Sequence, residues 1–190
     1  NLINNIFNFM DTKVVIGKVR LSYVNVFQAR TIGDDERAKF SASIIIDKED
    51  KKTVAKIEAA IEAAKNEGKG KWGGKIPKNI KLPLRDGDID REDDEAYAGK
   101  YFFNASSNYK PQVIDRFKQT IEDPDELYSG CYAYVSINFY PYDFNGSKGV
   151  AAGLNNIMKV AEGERLGGVA SAETDFADIE LEDEEDSMFD

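Results

Sequence analysis

Lysine and arginine are concentrated around the only tryptophan of the chain, in the stretch Lys65–Arg85. This stretch holds seven Lys or Arg residues against one acid, a local charge of +6, together with four glycines and two prolines. Cations that neutralise phosphates, combined with an aromatic ring for stacking, are typical of segments that follow single-stranded nucleic acid. We therefore predict a basic arm with nucleic-acid contacts from Lys71, Trp72, Lys75, Lys78, Lys81 and Arg85. The alternative interpretation is a solvated loop paired with neighbouring acids.

Tyrosines form a second group of residues able to contact bases. Thirteen of the 21 aromatic residues lie between Tyr97 and Phe144. In residues 131–140 the apolar positions alternate with polar ones, so the tyrosines there are predicted to lie on the opposite face of a strand. Stacking of a base on such a ring is worth about 1–3 kcal/mol and tolerates any sequence. The predicted stacking residues are Tyr101, Tyr132, Tyr134 and Tyr140, and the alternative is that these rings cover a second small core.

Acidic residues follow the basic arm directly, in Asp86–Glu95, where seven acids accompany Arg91. Read as a calcium loop, the pattern fails, because Arg91 stands where the turn glycine belongs and Tyr97 where the bidentate Glu belongs. A Mg²⁺-dependent nuclease or resolvase that uses these carboxylates remains an alternative, since carboxylates hold Mg²⁺. Our interpretation is a solvated loop or a counter-charge to the arm, with no catalytic residue, no metal and no cofactor.

Several kinds of site are excluded by composition. The chain has no histidine and one cysteine, Cys131, which rules out Cys/His zinc sites, histidine-activated nucleophiles and an intramolecular disulfide. No apolar run approaches the roughly 18 residues of a membrane helix. We expect a soluble protein in the cytoplasm. Residues 1–9 lack the features of a signal peptide, and we interpret them as a leader or as added residues before a natural start at Met10.

The C-terminal tail, residues 173–190, carries ten acids and no base, which leaves 25 acids and 25 bases in residues 1–172. Such a block is typical of a disordered interaction tail. We predict that it contacts partner proteins through Asp183, Glu184, Glu185, Asp186 and Phe189, and that it occupies the basic groove until DNA displaces it. The alternatives are a solubilising tail and a protein-only adaptor that works through the tail.

The order of predicted elements indicates how these residues are positioned. Strands are predicted over Lys13–Val26, Arg37–Ile46, Tyr97–Ser106, Leu127–Tyr142 and Lys148–Val160. In the first of them Val15, Gly17, Val19 and Leu21 share one face, while Lys18, Arg20 and Ser22 share the other. Asp47 is predicted to cap a helix over about Lys48–Asn66 that Gly68 ends, and Val113–Thr120 is predicted to be a short helix with Phe117 on its apolar face.

The fold class that fits this order is mainly β. Because no β-α-β alternation is sustained, a small antiparallel barrel is favoured over a parallel sheet, and the OB-fold is a common barrel with oligonucleotide sites. We predict an OB-fold-like barrel over residues 10–172 with one or two helices, the long basic arm, and a disordered acidic tail over residues 173–190. The sequence is compatible with a homo-oligomer.

Four blocks of sequence resemble a family of bacteriophage single-stranded DNA-binding proteins, formerly a domain of unknown function. They are KWGGKIPKNIKLPLRDGD, DEAYAGKYFFNASS, YSGCYAYVSINFY and KGVAAGLNNIMKV. The resemblance covers roughly Thr12 to Phe176. It implies an OB-fold that binds single-stranded DNA without strong sequence preference during phage or prophage replication and recombination. It also implies an acidic tail that contacts replication proteins of the phage or host.

Overall fold

The computed structural model describes residues 11–31, 33–34, 37–167 and 176–180, and residues 1–10, 32, 35–36, 168–175 and 181–190 lie outside that description. Seven strands are present in it: β1 Lys13–Arg30, β2 Lys39–Asp47, β3 Arg85–Asp86, β4 Lys100–Ser107, β5 Gln112–Ile114, β6 Tyr132–Phe144 and β7 Ser147–Ala161. The helical elements are α1 Lys51–Gly68, the short α2 Gly87–Asp90 and a 3₁₀ turn, Glu95–Tyr97.

The five long strands close into a barrel. β1 pairs antiparallel with β2 and β6, β2 pairs with β4, and β6 pairs with β7. A short parallel pairing of β4 with β7, at Ala105–Ala152 and Ser106–Gly153, completes the circle. The predicted OB-fold-like barrel is confirmed, and the short strands β3 and β5 extend the sheet at its two ends.

The interior of the barrel is apolar because every second residue of the long strands points inward. The alternation predicted for β6 is confirmed: Ala133, Val135, Ile137 and Phe139 are buried, whereas Tyr134 and Tyr140 are exposed. Inside the barrel the rings of Phe103 and Phe139 lie 5.5 Å apart, centroid to centroid.

The face predicted for the start of β1 is wrong at Val15 and at Gly17, whose added Cβ would meet the outward Tyr134 ring. Val15 is 56% exposed, and Ile16 is buried in the core instead. Between Ile16 and Val19 the pairing with β6 shifts by one residue, because β1 has an extra residue opposite Tyr134. The alternation therefore changes phase, and the inward positions after the shift, Val19 and Leu21, are the predicted ones.

Helix α1 packs mainly on β6, with smaller contacts to β1 and β7. Its predicted apolar stripe is buried at Ile57, Ile61 and Ala64, and it ends at Gly68 as predicted. Its N-cap is Asp50 rather than Asp47, because the Asp50 side chain accepts a hydrogen bond from Thr53 N at 3.2 Å. Among the described residues, no helix is long and apolar enough to cross a membrane.

The short helix predicted over Val113–Thr120 is wrong. Residues Gln112–Ile114 instead form β5, which pairs parallel with β7, and a turn follows. The Asp115 carboxylate accepts hydrogen bonds from Phe117 N and Gln119 N, which gives these amides partners that a helix would not offer. Phe117, predicted on a buried face, is 75% exposed.

Candidate nucleic-acid interface

Trp72, the residue on which the basic arm was centred, is buried. Only 5% of it is exposed, and its Nε1 donates a hydrogen bond to the Tyr142 carbonyl oxygen at 3.0 Å. The ring lies over Gly68, where an added Cβ would come within 2.5 Å of Trp72 Cη2. A ring held in this way has no open face for a base. The structure therefore assigns Trp72 to anchoring the arm and removes it from the stacking surface.

The remainder of the arm is held against the β6–β7 hairpin. Lys81 N donates to Lys148 O at 3.0 Å, and Val150 N donates to Lys81 O at 2.9 Å. This backbone pairing leaves no space for a side chain at Gly149, whose added Cβ would lie 2.6 Å from Lys81 O. The arm is thus a fixed edge of the barrel that exposes a row of lysines: Lys71, Lys75, Lys78 and Lys81.

Arg85, the last predicted cation of the arm, is engaged by the acidic segment. Its Nε lies 3.2 Å from Asp90 Oδ2, and its guanidinium lies over the Phe102 ring, 5.1 Å from the centroid. The Asp90 carboxylate would repel a phosphate that approaches the Arg85 guanidinium. Arg85 is therefore a weaker candidate for DNA contact than the exposed lysines.

The acids of residues 86–95 cap short helical elements and pair with lysine. The Asp86 side chain accepts a hydrogen bond from Asp88 N and caps α2. The Asp94 side chain accepts a hydrogen bond from Ala96 N at the 3₁₀ turn. Lys48 Nζ lies 2.7 Å from both Asp86 Oδ1 and Asp88 Oδ2. The ammonium of Lys48, followed by the Gly99 amide, lowers the pKa of Asp88, and the same two carboxylates raise the pKa of Lys48. Within the described residues, no group of three or more potential ligands is placed to hold a metal.

This acidic segment also covers part of the outer face of β2 and β4. Tyr97 is buried there against Phe102, with ring centroids 5.0 Å apart, and its hydroxyl lies 3.3 Å from Ser43 Oγ. Arg91 lies over both rings. The outer face of the second and third barrel strands is the usual oligonucleotide surface of OB-folds. In this chain the part of that surface around Ser43 and Phe102 is covered by Tyr97 and Arg91.

The outer face of β6 and β1 is left open beside this covered area. Lys18 Nζ lies 4.6 Å from the centroid of the Tyr132 ring, and the Arg20 guanidinium lies 5.7 Å from it. The same three side chains line a groove of about 460 Å³ together with Ile45 and Lys100. Asp47 and Glu95 also line this groove. At this point a base can stack on the Tyr132 ring, and the adjacent Lys18 and Arg20 can neutralise its phosphates.

Tyr134 and Tyr140 lie on the same outer face of β6, and each is 41% exposed. The Tyr134 ring rests on Gly17, where an added Cβ would come within 2.1 Å of Tyr134 Cδ1. Gly17 therefore sets the position of that ring. Tyr140 lies nearer the β6–β7 hairpin, whose tip exposes 72% of Phe144. The tyrosines of β6 form one row that runs from Lys18 and Arg20 towards the hairpin.

Tyr101 is not part of this row. It lies on β4, opposite Ile46 and Asp86, with Lys48 Nζ 5.1 Å from its ring centroid. Because Lys48 is paired with two carboxylates, the surroundings of Tyr101 are unfavourable for phosphate. The structure thus separates Tyr101 from Tyr132, Tyr134 and Tyr140.

Lys18, Arg20 and Phe144 are candidate residues that the sequence analysis did not select. The alternation of β1 had placed the two cations on its outer face, but nothing in a single sequence indicates that Tyr132 is their neighbour. Phe144 precedes a turn with positive φ at Asn145, 51°, and Gly146, 83°. That turn holds the ring at the hairpin tip, a loop that also contributes to oligonucleotide binding in OB-folds.

Residues 162–167, which lead to the tail, lie beside Arg20 of β1 and the segment before β6. Arg20 Nη2 donates to Glu164 O at 2.7 Å, and Leu166 N donates to Ser129 O at 2.9 Å. Lys159, whose Nζ lies 2.6 Å from Glu162 Oε1, lowers the pKa of Glu162, and the Tyr128 hydroxyl adds to this effect. The predicted partner-binding residues Asp183, Glu184, Glu185, Asp186 and Phe189 lie outside the described residues.

Comparison with protein families gives a match over nearly the whole chain. The family model described as "Enterobacter phage Enc34, ssDNA-binding protein" matches residues 12–188. Protein p50 of Acyrthosiphon pisum secondary endosymbiont phage 1 is 33% identical over 188 residues, which cover 93% of this chain and 98% of p50.

Solved structures with a similar fold include two phage proteins. The single-stranded DNA-binding protein from bacteriophage Enc34, in complex with ssDNA, superposes with a TM-score of 0.71 at 24% identity, over 82% of this chain and 90% of that one. The protein gp2.5, a single-stranded DNA-binding protein encoded by bacteriophage T7, gives a TM-score of 0.57 at 18% identity, over 90% and 96% of the two chains. At these identities the likeness concerns the fold.

Proposed function

The chain belongs to the family of the Enterobacter phage Enc34 single-stranded DNA-binding protein, and from this membership we propose that it binds single-stranded DNA. Its role is to coat and protect the strand, without strong sequence preference, during phage replication and recombination. The protein acts as a non-enzymatic binding module in the cytoplasm of the bacterial host.

The observation that carries the proposal is the grouping of Lys18 and Arg20 over the Tyr132 ring. An arriving base would displace the Lys18 ammonium, 4.6 Å from the ring centroid, from the ring face. The freed ammonium would then pair with the phosphate of the same nucleotide. Stacking accepts any base, and phosphate contacts carry no sequence information, so this arrangement suits sequence-independent binding.

A second contact region is the arm with the β6–β7 hairpin. The exposed lysines Lys71, Lys75, Lys78 and Lys81 border the same hairpin that displays Tyr140 and Phe144. Because Trp72 and Lys81 fix the arm to the hairpin, these cations need no large ordering step before they bind phosphate. Successive nucleotides would therefore pass from Tyr132 along β6 towards the arm.

The acidic tail is proposed to contact proteins of phage or host replication and recombination through its acids and Phe189. The nuclease alternative gains no support from the acids of residues 86–95, since those of the segment with side-chain contacts cap turns or pair with Lys48 and Arg85. The adaptor alternative requires that the chain have no affinity for DNA.

Binding of fluorescent oligo-dT, compared with duplex DNA and RNA at two salt concentrations, tests the proposal. The expected result is preferential binding of oligo-dT whose affinity falls with salt, by roughly 0.7 logarithmic units per tenfold salt for each phosphate contacted. Affinity that does not change with salt, or absence of binding, would reject it. Incubation of the same oligonucleotide with Mg²⁺ tests the nuclease alternative, for which cleavage lost in Asp88→Ala would be the supporting result.

A further inference from the structure

The turn Asp115–Gln119, which follows β5, is tightly held although it projects from the barrel. Ile114 and Thr120 bridge its base, and Asp115 N donates to Gln119 O at 2.8 Å. One oxygen of the Asp115 carboxylate accepts from Phe117 N at 2.8 Å and from Gln119 N at 3.0 Å. Lys118 has a positive φ of 64°, which closes the turn. These hydrogen bonds hold the turn in a defined conformation in the absence of a ligand.

Its tip displays an aromatic ring between two cations. Phe117 is 75% exposed, and the flanking Arg116 and Lys118 are also exposed. The Arg116 guanidinium lies 5.8 Å from the Phe117 ring centroid. Asp115, the acid of the turn, is half-buried and directs one carboxylate oxygen at the backbone amides of Phe117 and Gln119. Single exposed apolar side chains are common on protein surfaces. What sets this ring apart is that a cation flanks it on each side, on a turn that is held by its own hydrogen bonds.

The turn begins where the tyrosine face ends. Tyr134 on β6 pairs with Met158 on β7, and Met158 pairs with Ile114 on β5, so the three form one row across the sheet. All three line a groove of about 300 Å³ on the outer face, with Gln112, Ser136 and Asn156 as polar members. Asp115 is the next residue after Ile114. A strand that stacks on Tyr134 and follows this row reaches the turn directly.

We propose that the turn Asp115–Gln119 is a further single-stranded DNA contact, in which a base stacks on Phe117 while Arg116 and Lys118 bind phosphates on either side of it. This contact rests on the proposed function and extends the DNA path from the tyrosine row across β7 to β5. Protein interfaces are enriched in aromatic residues and arginine, but they are depleted of lysine, and their centres are depleted of charged residues. A lone ring between two cations matches a nucleotide strand better, because bases and phosphates alternate along it in the same way.

Titration of labelled oligo-dT with variants of the turn tests the proposal. Phe117→Ala is expected to weaken binding by about five- to 150-fold on an oligonucleotide long enough to span the tyrosine row and the turn. On a short oligonucleotide that fills only the tyrosine row, the same variant is expected to bind like the parent chain. Arg116→Gln, and Lys118→Asn, which tolerates the positive φ, are each expected to reduce the salt slope by about 0.7. Ile89→Ala, at an apolar residue 72% exposed in the acidic segment, is the matched control and should bind normally.

A direct reporter separates contact from indirect effects. Phe117→Trp places an exposed indole at the tip, and its fluorescence should be quenched by the long oligonucleotide. If Phe117→Ala binds like Ile89→Ala and the new indole is not quenched, while Tyr132→Ala binds weakly, the turn is not a DNA contact and the proposed function stands. If neither Tyr132→Ala nor Phe117→Ala changes binding, neither the Tyr132 ring nor the turn contacts DNA, and the inference about the turn fails while the binding activity itself remains. A change in the sedimentation of the DNA-free protein on Phe117→Ala, with DNA binding unaltered, would assign the turn to a protein contact and overturn the inference.

Discussion

Trp72 donates its indole hydrogen to the carbonyl oxygen of Tyr142, 70 residues further along the chain, across a distance of 3.0 Å. This bond joins the basic arm to the β6–β7 hairpin, and the buried ring fills the space above Gly68. The lysines of the arm therefore keep a fixed position relative to Tyr140 and Phe144.

Trp72→Ala should destabilise the protein by about 3–5 kcal/mol, because it removes a buried aromatic ring and leaves a cavity. Trp72→Phe should cost less, since most of the apolar area remains and one hydrogen bond is lost. Urea unfolding monitored by circular dichroism measures both effects, and Lys75→Gln, at an exposed position of the same arm, is the control. Native Trp72 fluorescence should change little when oligo-dT binds. Strong quenching would show that the ring leaves its buried position.

Tyr132→Ala should weaken oligo-dT binding by about 1–3 kcal/mol, the usual value of one stacked base. Tyr101→Ala is the matched control, because its ring also lies beside a lysine, but that lysine is paired with Asp86 and Asp88. We expect the affinity of Tyr101→Ala for oligo-dT to stay within about twofold of that of the parent chain, since no base stacks on the Tyr101 ring. Fluorescence anisotropy measures the two variants side by side. Equal losses would place both tyrosines on the DNA path.

The barrel could be predicted from sequence because apolar and polar residues alternate along its long strands, and this alternation is visible in the sequence itself. The burial of Trp72 could not, since it depends on the β6–β7 hairpin at Tyr142, which is distant in sequence. The same holds for the grouping of Lys18 with Tyr132. The helical spacing of Val113, Ile114 and Phe117 predicts a helix where the structure has β5 and a turn. There the pairing of β5 with β7 and the side-chain bonds of Asp115 outweigh local preference.

Gly17→Ala should destabilise the fold and displace the Tyr134 ring. The added methyl group would lie 2.1 Å from Tyr134 Cδ1, so the ring has to move. Overpacking of this kind costs typically about 1–3 kcal/mol. If the ring is the cause, the Gly17→Ala cost should shrink in a Tyr134→Ala background, which a double-mutant cycle of urea unfolding measures. An equal cost in both backgrounds would place the strain elsewhere in β1.

Asp88→Asn should loosen the acidic segment in a pH-dependent way. Folding lowers the pKa of Asp88, so its ionised form stabilises the native state above the unfolded-state pKa of about 3.9. That contribution is lost as the pH falls through the lower native-state value. Urea midpoints of parent and variant should therefore differ by a constant amount between pH 5 and pH 8 and converge below about pH 3.9. A difference that persists in acid would point to the Gly99 hydrogen bond rather than to the charge.

Deletion of residues 173–190 should tighten oligo-dT binding at low salt. The deletion removes ten acids and leaves a body with 25 acids and 25 bases, so competition for the cations beside Tyr132 and on the arm is relieved. Because the competition is electrostatic, the gain should fade as salt shortens the screening length from about 10 Å at 0.1 M to about 3 Å at 1 M. A full-length chain with the ten acids changed to amides separates charge from length, and it should bind like the deletion. If the deletion binds DNA no more tightly than the full chain at low salt, the tail does not compete for the groove, and its acids serve partner proteins alone.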